Sequence, residues 1–278
     1  MRTVLIDGDI AAFRIAVAAE RAVKWNDNLW TLHAEEQPAI ARLHDNIAFI
    51  VNACDADAAI VALTDTENFR YGILPTYKGN RKDVRKPMLL PTLRQVLIDD
   101  YSAMVRPGLE GDDILGIVST SSVICKGERI IWSLDKDMYT IPGLFCRSVT
   151  ENGKAIITDV SEADADRFHL FQTLTGDATD GYSGCPGVGP KAANEILDEP
   201  LLYEPFEKTI TRGKNKGTTQ TVWEPTRACS TWEAVVSQYR RAGLSEGVAL
   251  QNARVARILR AADYNFKKKE PILWNPPA

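Results

Sequence analysis

Three short apolar runs, each closed by an acid, constrain this chain more than any other feature. Residues 4–6 (VLI) end at Asp7, residues 58–64 (AAIVALT) end at Asp65, and residues 129–133 (RIIWS) lead to Asp135. Unbroken apolar runs of this length read as strands buried on both faces. Segments of helical spacing lie between them. Strands alternating with helices through about residue 160 predict an α/β fold: a mostly parallel central sheet with flanking helices. In such sheets ligands bind beyond the carboxyl ends of the strands, where Asp7, Asp65 and Asp135 all fall.

The spacing predicts a helix over 10–24, loop running into helix over 25–46, and helix again over 47–54. Residues 91–101 and 110–121 read as helices, and 103–106 as a short strand. Residues 145–149 and 155–158 are edge-strand candidates. Ser161 caps a helix whose first turn holds Glu162 and Asp164. After the helix-forming run 192–197 the chain is less regular, with a basic Gly-rich loop at 211–220 and a helix over 245–263. The expected organisation is an α/β domain over 1–160 and a helical region over 161–278.

Hydrophobic content of 45% and charged content of 25% are ordinary for a globular protein. The net charge of −4 argues against a generally basic coat, although an acidic site can mask a local basic groove. Five scattered cysteines without a CxxC spacing point to a reducing compartment and away from zinc. The opening MRTVLIDGDI enters a strand-like run at once, with no signal-peptide core, and no apolar run approaches the roughly 20 residues of a membrane helix. The expected location is the cytoplasm.

Nine carboxylates are candidate ligands: Asp7, Asp65, Glu110, Asp112, Asp113, Asp135, Asp137, Asp177 and Asp180. Gathered in one cleft they would repel and raise one another's pKa values unless cations were bound. Oxygen-only ligands favour Mg²⁺ or Mn²⁺. Two such ions roughly 3.5–4 Å apart can flank a phosphodiester. Any single Asp at a strand end is as often a turn residue as a ligand. Asp112 and Asp113 would suit a helix first turn through the dipole alone. Asp9, after a turn glycine, reads as structural.

Two other segments are suited to phosphates. Gly187-Val188-Gly189-Pro190-Lys191 precedes a helix, bringing bare backbone N–H groups and a lysine to one place. Residues 66–94 carry Arg70, Lys78, Arg81, Lys82, Arg85, Lys86 and Arg94 against only Glu67 and Asp83, with Tyr71 and Tyr77 interleaved. A solvated basic face is the default reading of such a run; the carboxylates tip it towards function.

Taken together these segments resemble the flap endonuclease family of 5′-nucleases. The resemblance rests on VLIDG at 4–8, Asp65, EGDD at 110–113, SLDKD at 133–137, GDATD at 176–180, YKGNR at 77–81 and PGVGPKA at 186–192. HLFQTL at 169–174, GDATDGYSG at 176–184, GKNKG at 213–217 and YNF at 264–266 are similar to the 5′→3′ exonucleases of short-tailed bacteriophages, and the match runs nearly end to end. The resemblance implies that Asp7, Asp65, Glu110, Asp112 and Asp113 serve one metal and Asp135, Asp137, Asp177 and Asp180 a second, some through water. It implies Mg²⁺ as cofactor, with Mn²⁺ able to substitute. PGVGPKA would be a helix-three-turn-helix hairpin holding a K⁺ and gripping duplex backbone through Gly187, Gly189 and Lys191. Arg70, Tyr77, Lys78 and Arg81 would line the DNA passage. Lys78 would offset charge at the scissile phosphate, and Arg81 would assist. Tyr77 would stack on a terminal base, worth about 1–3 kcal/mol. Gly111 stands where the family often has Ala.

The expected activity is a metal-dependent 5′→3′ exodeoxyribonuclease on duplex DNA, releasing 5′-mononucleotides, with action on RNA–DNA hybrids. Its expected roles are phage replication, primer removal, recombination and host DNA degradation, in the host cytoplasm and beside a phage single-strand DNA-binding protein. A structure-specific flap endonuclease is the alternative, and turns on whether residues 72–100 form a threading arch. A haloacid-dehalogenase-like phosphatase, suggested by Asp7-Gly8-Asp9, would leave the glycine hairpin unexplained. A non-catalytic DNA-binding protein would not need the acids. His33, His44 and His169 show no metal spacing, and no Ser or Cys nucleophile has a His partner, so water is the expected attacking group.

Overall fold

The computed structural model of the chain describes residues 1–277, which form two compact units. The first is assembled from residues 1–69, 83–165 and 258–272, and the second from 70–82, 166–257 and the described residues from 273 on.

The first unit is built on β1 (Arg2–Asp7), α1 (Gly8–Ala19), β2 (Arg21–Asn26), β3 (Leu29–His33), α2 (Glu36–Ala53), β4 (Ala58–Ala62), α3 (Leu90–Tyr101), α4 (Gly111–Ser119), β5 (Glu128–Trp132), β6 (Gly143–Val149) and β7 (Ala155–Val160). Five strands pair in the order β4-β1-β5-β6-β7. β4, β1, β5 and β6 are parallel, and β7 closes the edge antiparallel to β6. The inner strand β1 aligns Val4 with Ala59 on one side and with Ile130 on the other. The side-chain period of two sends Val4 and Ile6 into the core formed with α1, α2 and α3, and Leu5 into the opposite core against α4. That is why the run shows no polar alternation. Residues 258–259 run along α4 so closely that a Cβ on Gly116 would lie 2.3 Å from the Leu259 carbonyl oxygen.

Three expectations for this unit are corrected. The helix predicted over 10–24 ends at Ala19, and the loop and helix predicted over 25–46 give way first to the exposed antiparallel hairpin β2–β3. The strand predicted over 103–106 is a single parallel bridge between Ala62 and Met104.

The second unit contains most of α5 (Glu162–Thr175), then α6 (Pro190–Asp198), β8 (Leu201–Thr209), β9 (Thr219–Ala228), α7 (Thr231–Arg241) and α8 (Glu246–Ala256). Ser161 caps α5 as predicted, its hydroxyl accepting the Asp164 N–H at 3.1 Å. The core joins Leu174, Cys185, Ala193, Leu197, Val235, Val236 and Tyr239. The predicted loop at 211–220 is the tip of a two-stranded ribbon, β8–β9, so this region is not wholly helical. The helix predicted over 245–263 stops at Ala256. No helix among the described residues is long and apolar enough to cross a membrane.

Candidate functional site

The acids of the first unit are held by backbone and hydroxyl donors at the strand ends. Asp7 ends β1 and caps α1, accepting the Ile10 N–H at 3.0 Å. It also accepts the Ser133 hydroxyl at 2.8 Å. Ser133 follows β5, the neighbouring strand, and its oxygen in turn accepts the Asp135 N–H at 3.1 Å. One hydroxyl therefore ties two of the candidate ligands together. The one sequence signal for this role is the Ser-x-Asp spacing just beyond a buried strand. The Asp135 carboxylate accepts the Asp137 N–H at 2.9 Å.

Asp65, three residues beyond β4, accepts the Gly108 N–H at 2.8 Å. That bond, followed by the Thr66 N–H, holds its carboxyl below the usual range. Glu110 precedes α4 and is 6% exposed. Asp112 is half-buried. Asp113 is fully buried, with one oxygen accepting the Glu110 N–H at 3.2 Å and the other the Leu259 N–H at 3.1 Å. It therefore joins α4 to the returning C-terminal segment. Asp9 binds the Thr64 N–H at 2.7 Å and the Arg94 guanidinium, the structural role expected of it. The Gly111 N–H donates to Thr64 Oγ1 at 2.9 Å. A Cβ at Gly111 would sit 3.2 Å from Asp9 Oδ2, so alanine here would press on that carboxylate.

In the second unit Asp177 and Asp180 lie on a tight loop. The Asp177 carboxylate accepts the Thr179 N–H at 2.7 Å and the Asp180 N–H at 3.4 Å. Asp180 accepts Tyr77 Oη at 3.0 Å and Arg81 Nη2 at 2.6 Å, and Lys78 Nζ is 3.8 Å away. The Lys78 backbone is left-handed, φ 50°, and its N–H donates to the Asp180 carbonyl at 2.8 Å. Lys78 is thus tied through its own backbone to the loop of the acid it faces.

Two residues expected on the DNA passage are placed otherwise. Arg70 is 2% exposed, its guanidinium donating to the carbonyls of Val255 at 3.0 Å and Arg257 at 2.7 Å. Tyr77 is also 2% exposed, its ring packed with Tyr182, Val255 and Ala256. Burial suits both to positioning rather than to stacking on a base. Arg85 is engaged by Glu20 and Arg94 by Asp9, so the basic run has fewer free cations than its composition suggests.

Gly187 adopts φ +80°, which favours glycine, and Gly189 caps α6, whose first residue is Pro190. The Lys191 side chain is 92% exposed. His169 is buried against the Ala253 carbonyl at 2.7 Å and the Trp274 ring, a packing role.

The donor set is entirely oxygen, which fits a hard divalent ion. Among the described residues no group of three His, Cys, Asp or Glu side chains forms a ready-made ion cage.

Residues 2–163 match the family model described as 5′-3′ exonuclease, N-terminal resolvase-like domain. The chain is 35% identical to the exodeoxyribonuclease of Enterobacteria phage T3 over 98% of its own length and 92% of the relative's. It is likewise 35% identical to the exonuclease of Escherichia phage T7, covering 98% and 93%. A crystal structure of the bacteriophage T5 flap endonuclease, a pseudo-enzyme–product complex with DNA and metal ions, superposes with a TM-score of 0.57 at 16% identity, covering 92% of this chain and 89% of that one. At that identity the likeness concerns the fold.

Proposed function

From the premise that this chain belongs to the 5′-3′ exonuclease family, we propose that it is a divalent-metal-dependent 5′→3′ exodeoxyribonuclease that degrades duplex DNA to 5′-mononucleotides. The observation that carries this reading is the array of Asp7, Asp65 and Asp135 at the carboxyl ends of three parallel strands. The same active residues would hydrolyse RNA in RNA–DNA hybrids. The matched T3 and T7 enzymes support a phage setting. Primer removal, recombination and host DNA degradation in the bacterial cytoplasm, beside a single-strand DNA-binding protein, are the corresponding roles.

Asp7, Asp65, Glu110, Asp112, Asp113, Asp135 and Asp137 of the first unit, with Asp177 and Asp180 of the second, carry the metal-binding role. Some of them, the fully buried Asp113 foremost, would act by orienting others. Bound Mg²⁺, or Mn²⁺ in its place, supplies an activated water and stabilises the leaving oxygen. Lys78 and Arg81 neutralise Asp180 and offer positive charge to the phosphate under attack. Arg70 anchors the turn that carries them, and Tyr77 fixes Asp180. Gly187, Gly189 and Lys191, ahead of α6, form a helix-three-turn-helix grip on duplex phosphates with a K⁺ in the turn. The catalytic domain is the expected 1–160 without 70–82 and with the returning segment 258–272, and the rest of 161–278 is the DNA-binding region together with 70–82, the start of the basic run expected near 70–100.

The test uses blunt duplex and 5′-flap DNA, each labelled at either end, with Mg²⁺ and with EDTA. Mononucleotide release from the blunt 5′ end, lost in EDTA and in Asp135→Asn, is the expected result. Dominant release of an intact flap would instead identify a structure-specific flap endonuclease. No cleavage of either substrate would overturn the assignment.

A further inference from the structure

The first unit contains a cavity of about 410 Å³, within the roughly 300–1,000 Å³ typical of small-ligand sites. It opens between α1 and α2 over the ends of β5 and β6, with Asp7 in its wall. Three guanidiniums line it: Arg14 from α1, Arg42 from α2 and Arg147 from β6. Arg147 is fixed by Nε and Nη2 bonds to the Leu134 carbonyl at 3.1 and 2.8 Å. Neither Arg14 nor Arg42 has a hydrogen bond or ion pair to protein among the described residues, although the chain has an excess of acids. The lining also holds an aromatic pair, Trp132 and Phe49, edge to face at a centroid separation of 6.4 Å.

Three cations against one carboxylate make this an anion site, and guanidinium geometry favours phosphate oxygens. An apolar, aromatic wall beside them suits a flat ring. We propose that this cavity binds a nucleoside 5′-monophosphate, with the phosphate held by Arg14, Arg42 and Arg147 and the base against Trp132 and Phe49. The inference deepens the nuclease reading and rests on it for the source of the ligand. That chemistry belongs both to a free product nucleotide and to the 5′-phosphorylated end of a strand.

The test is binding of a deoxynucleoside 5′-monophosphate in EDTA, which removes any contribution from metal-held phosphate. Binding is followed by tryptophan fluorescence, with Trp132→Phe as the control that loses the signal change, and independently by calorimetry. Saturable binding is expected, with the nucleoside lacking phosphate and inorganic phosphate alone both weaker. Arg42→Ala should weaken it roughly tenfold, and Arg14→Ala/Arg42→Ala further. Both sites are exposed helix positions, where alanine favours folding. Competition by a 5′-phosphorylated but not a 5′-hydroxyl oligonucleotide would identify the strand end as the ligand. Competition by neither would identify the free product. Absence of saturable binding, or unchanged affinity in the double variant, would overturn the site while leaving Mg²⁺-dependent cleavage intact. Loss of cleavage with nucleotide binding retained would overturn the nuclease reading instead.

Discussion

Arg81 Nη2 lies 2.6 Å from Asp180 Oδ1, and the two groups differ sharply in exposure: the arginine side chain is 48% exposed and the carboxylate 18%. An exposed cation here covers a largely buried acid. Exposure limits what the pair contributes to stability, to less than about 1 kcal/mol. Its value lies in the charge it presents. Arg81→Ala should leave the denaturant midpoint nearly unchanged and reduce turnover on DNA by about a hundredfold. Parallel urea titration and single-turnover cleavage check this, and a large fall in stability would show that the pair is structural.

Tyr77 separates two effects within one side chain. Its hydroxyl bonds Asp180 at 3.0 Å, while its ring is buried beside Tyr182 and Val255. Tyr77→Phe keeps the ring and should cost about 1.5–3 kcal/mol, as expected for a hydrogen bond to a charged group. Tyr77→Ala removes the ring as well and should cost about 3–5 kcal/mol. Chemical denaturation of the two variants resolves them. Equal losses would mean that the ring contributes nothing, and an unchanged Tyr77→Phe that the hydroxyl contributes nothing.

Asp113 and Asp112 are adjacent and should fail differently. Asp113 accepts two backbone N–H groups in a fully buried setting. Asp113→Ala strands both donors and should lower stability by about 2–4 kcal/mol. Asp112 is half-buried, so Asp112→Asn should affect Mg²⁺-dependent turnover far more than the thermal midpoint. Calorimetry beside activity at several Mg²⁺ concentrations distinguishes them.

Acid should destabilise the first unit through two carboxylates. Glu20 is lowered to about 2, first by its bond to Arg85 and then by the Met88 N–H. Asp65 is lowered chiefly by the Gly108 N–H. Both folded pKa values lie below their unfolded values, so the stabilisation is present above about pH 4.5 and is lost as pH falls towards 2. Glu20→Gln and Asp65→Asn should each flatten the acid limb of the stability–pH curve. An unchanged limb in both would remove these groups as its cause.

The sheet was readable because β1, β4 and β5 are buried on both faces, and burial on both faces leaves an unbroken apolar run. The β2–β3 hairpin was not, because every strand residue but Thr31 is exposed and Ala22 and Val23 extend the helical rhythm of α1. The turn residues Asn26-Asp27-Asn28 between Trp25 and Leu29 were the better signal. Pro205 and Pro225 argued against β8 and β9, yet both strands belong to a two-stranded ribbon whose outer edges need no donors. Asp7, Asp65 and Asp135 were legible as strand-end acids, but the groups that hold them were not. The bridge through Ser133 depends on two strands being neighbours, and the burial of Arg70 on carbonyls 185 and 187 residues away leaves no local trace. Arginine is so seldom buried that composition pointed the other way.

The return of residues 258–272 to the first unit sets the timing of folding in the cell. Asp113 must wait for Leu259, 146 residues later, and Thr120 for Ala261, 141 residues later. At about 5–20 residues/s of synthesis, roughly 7–30 s pass before α4 meets the strand of chain that closes over Gly116. The N-terminal half of this polypeptide therefore leaves the ribosome early and completes its packing last. A stalled or shortened chain ending before residue 258 would expose the apolar face of α4, and a nascent-chain protease would find it there.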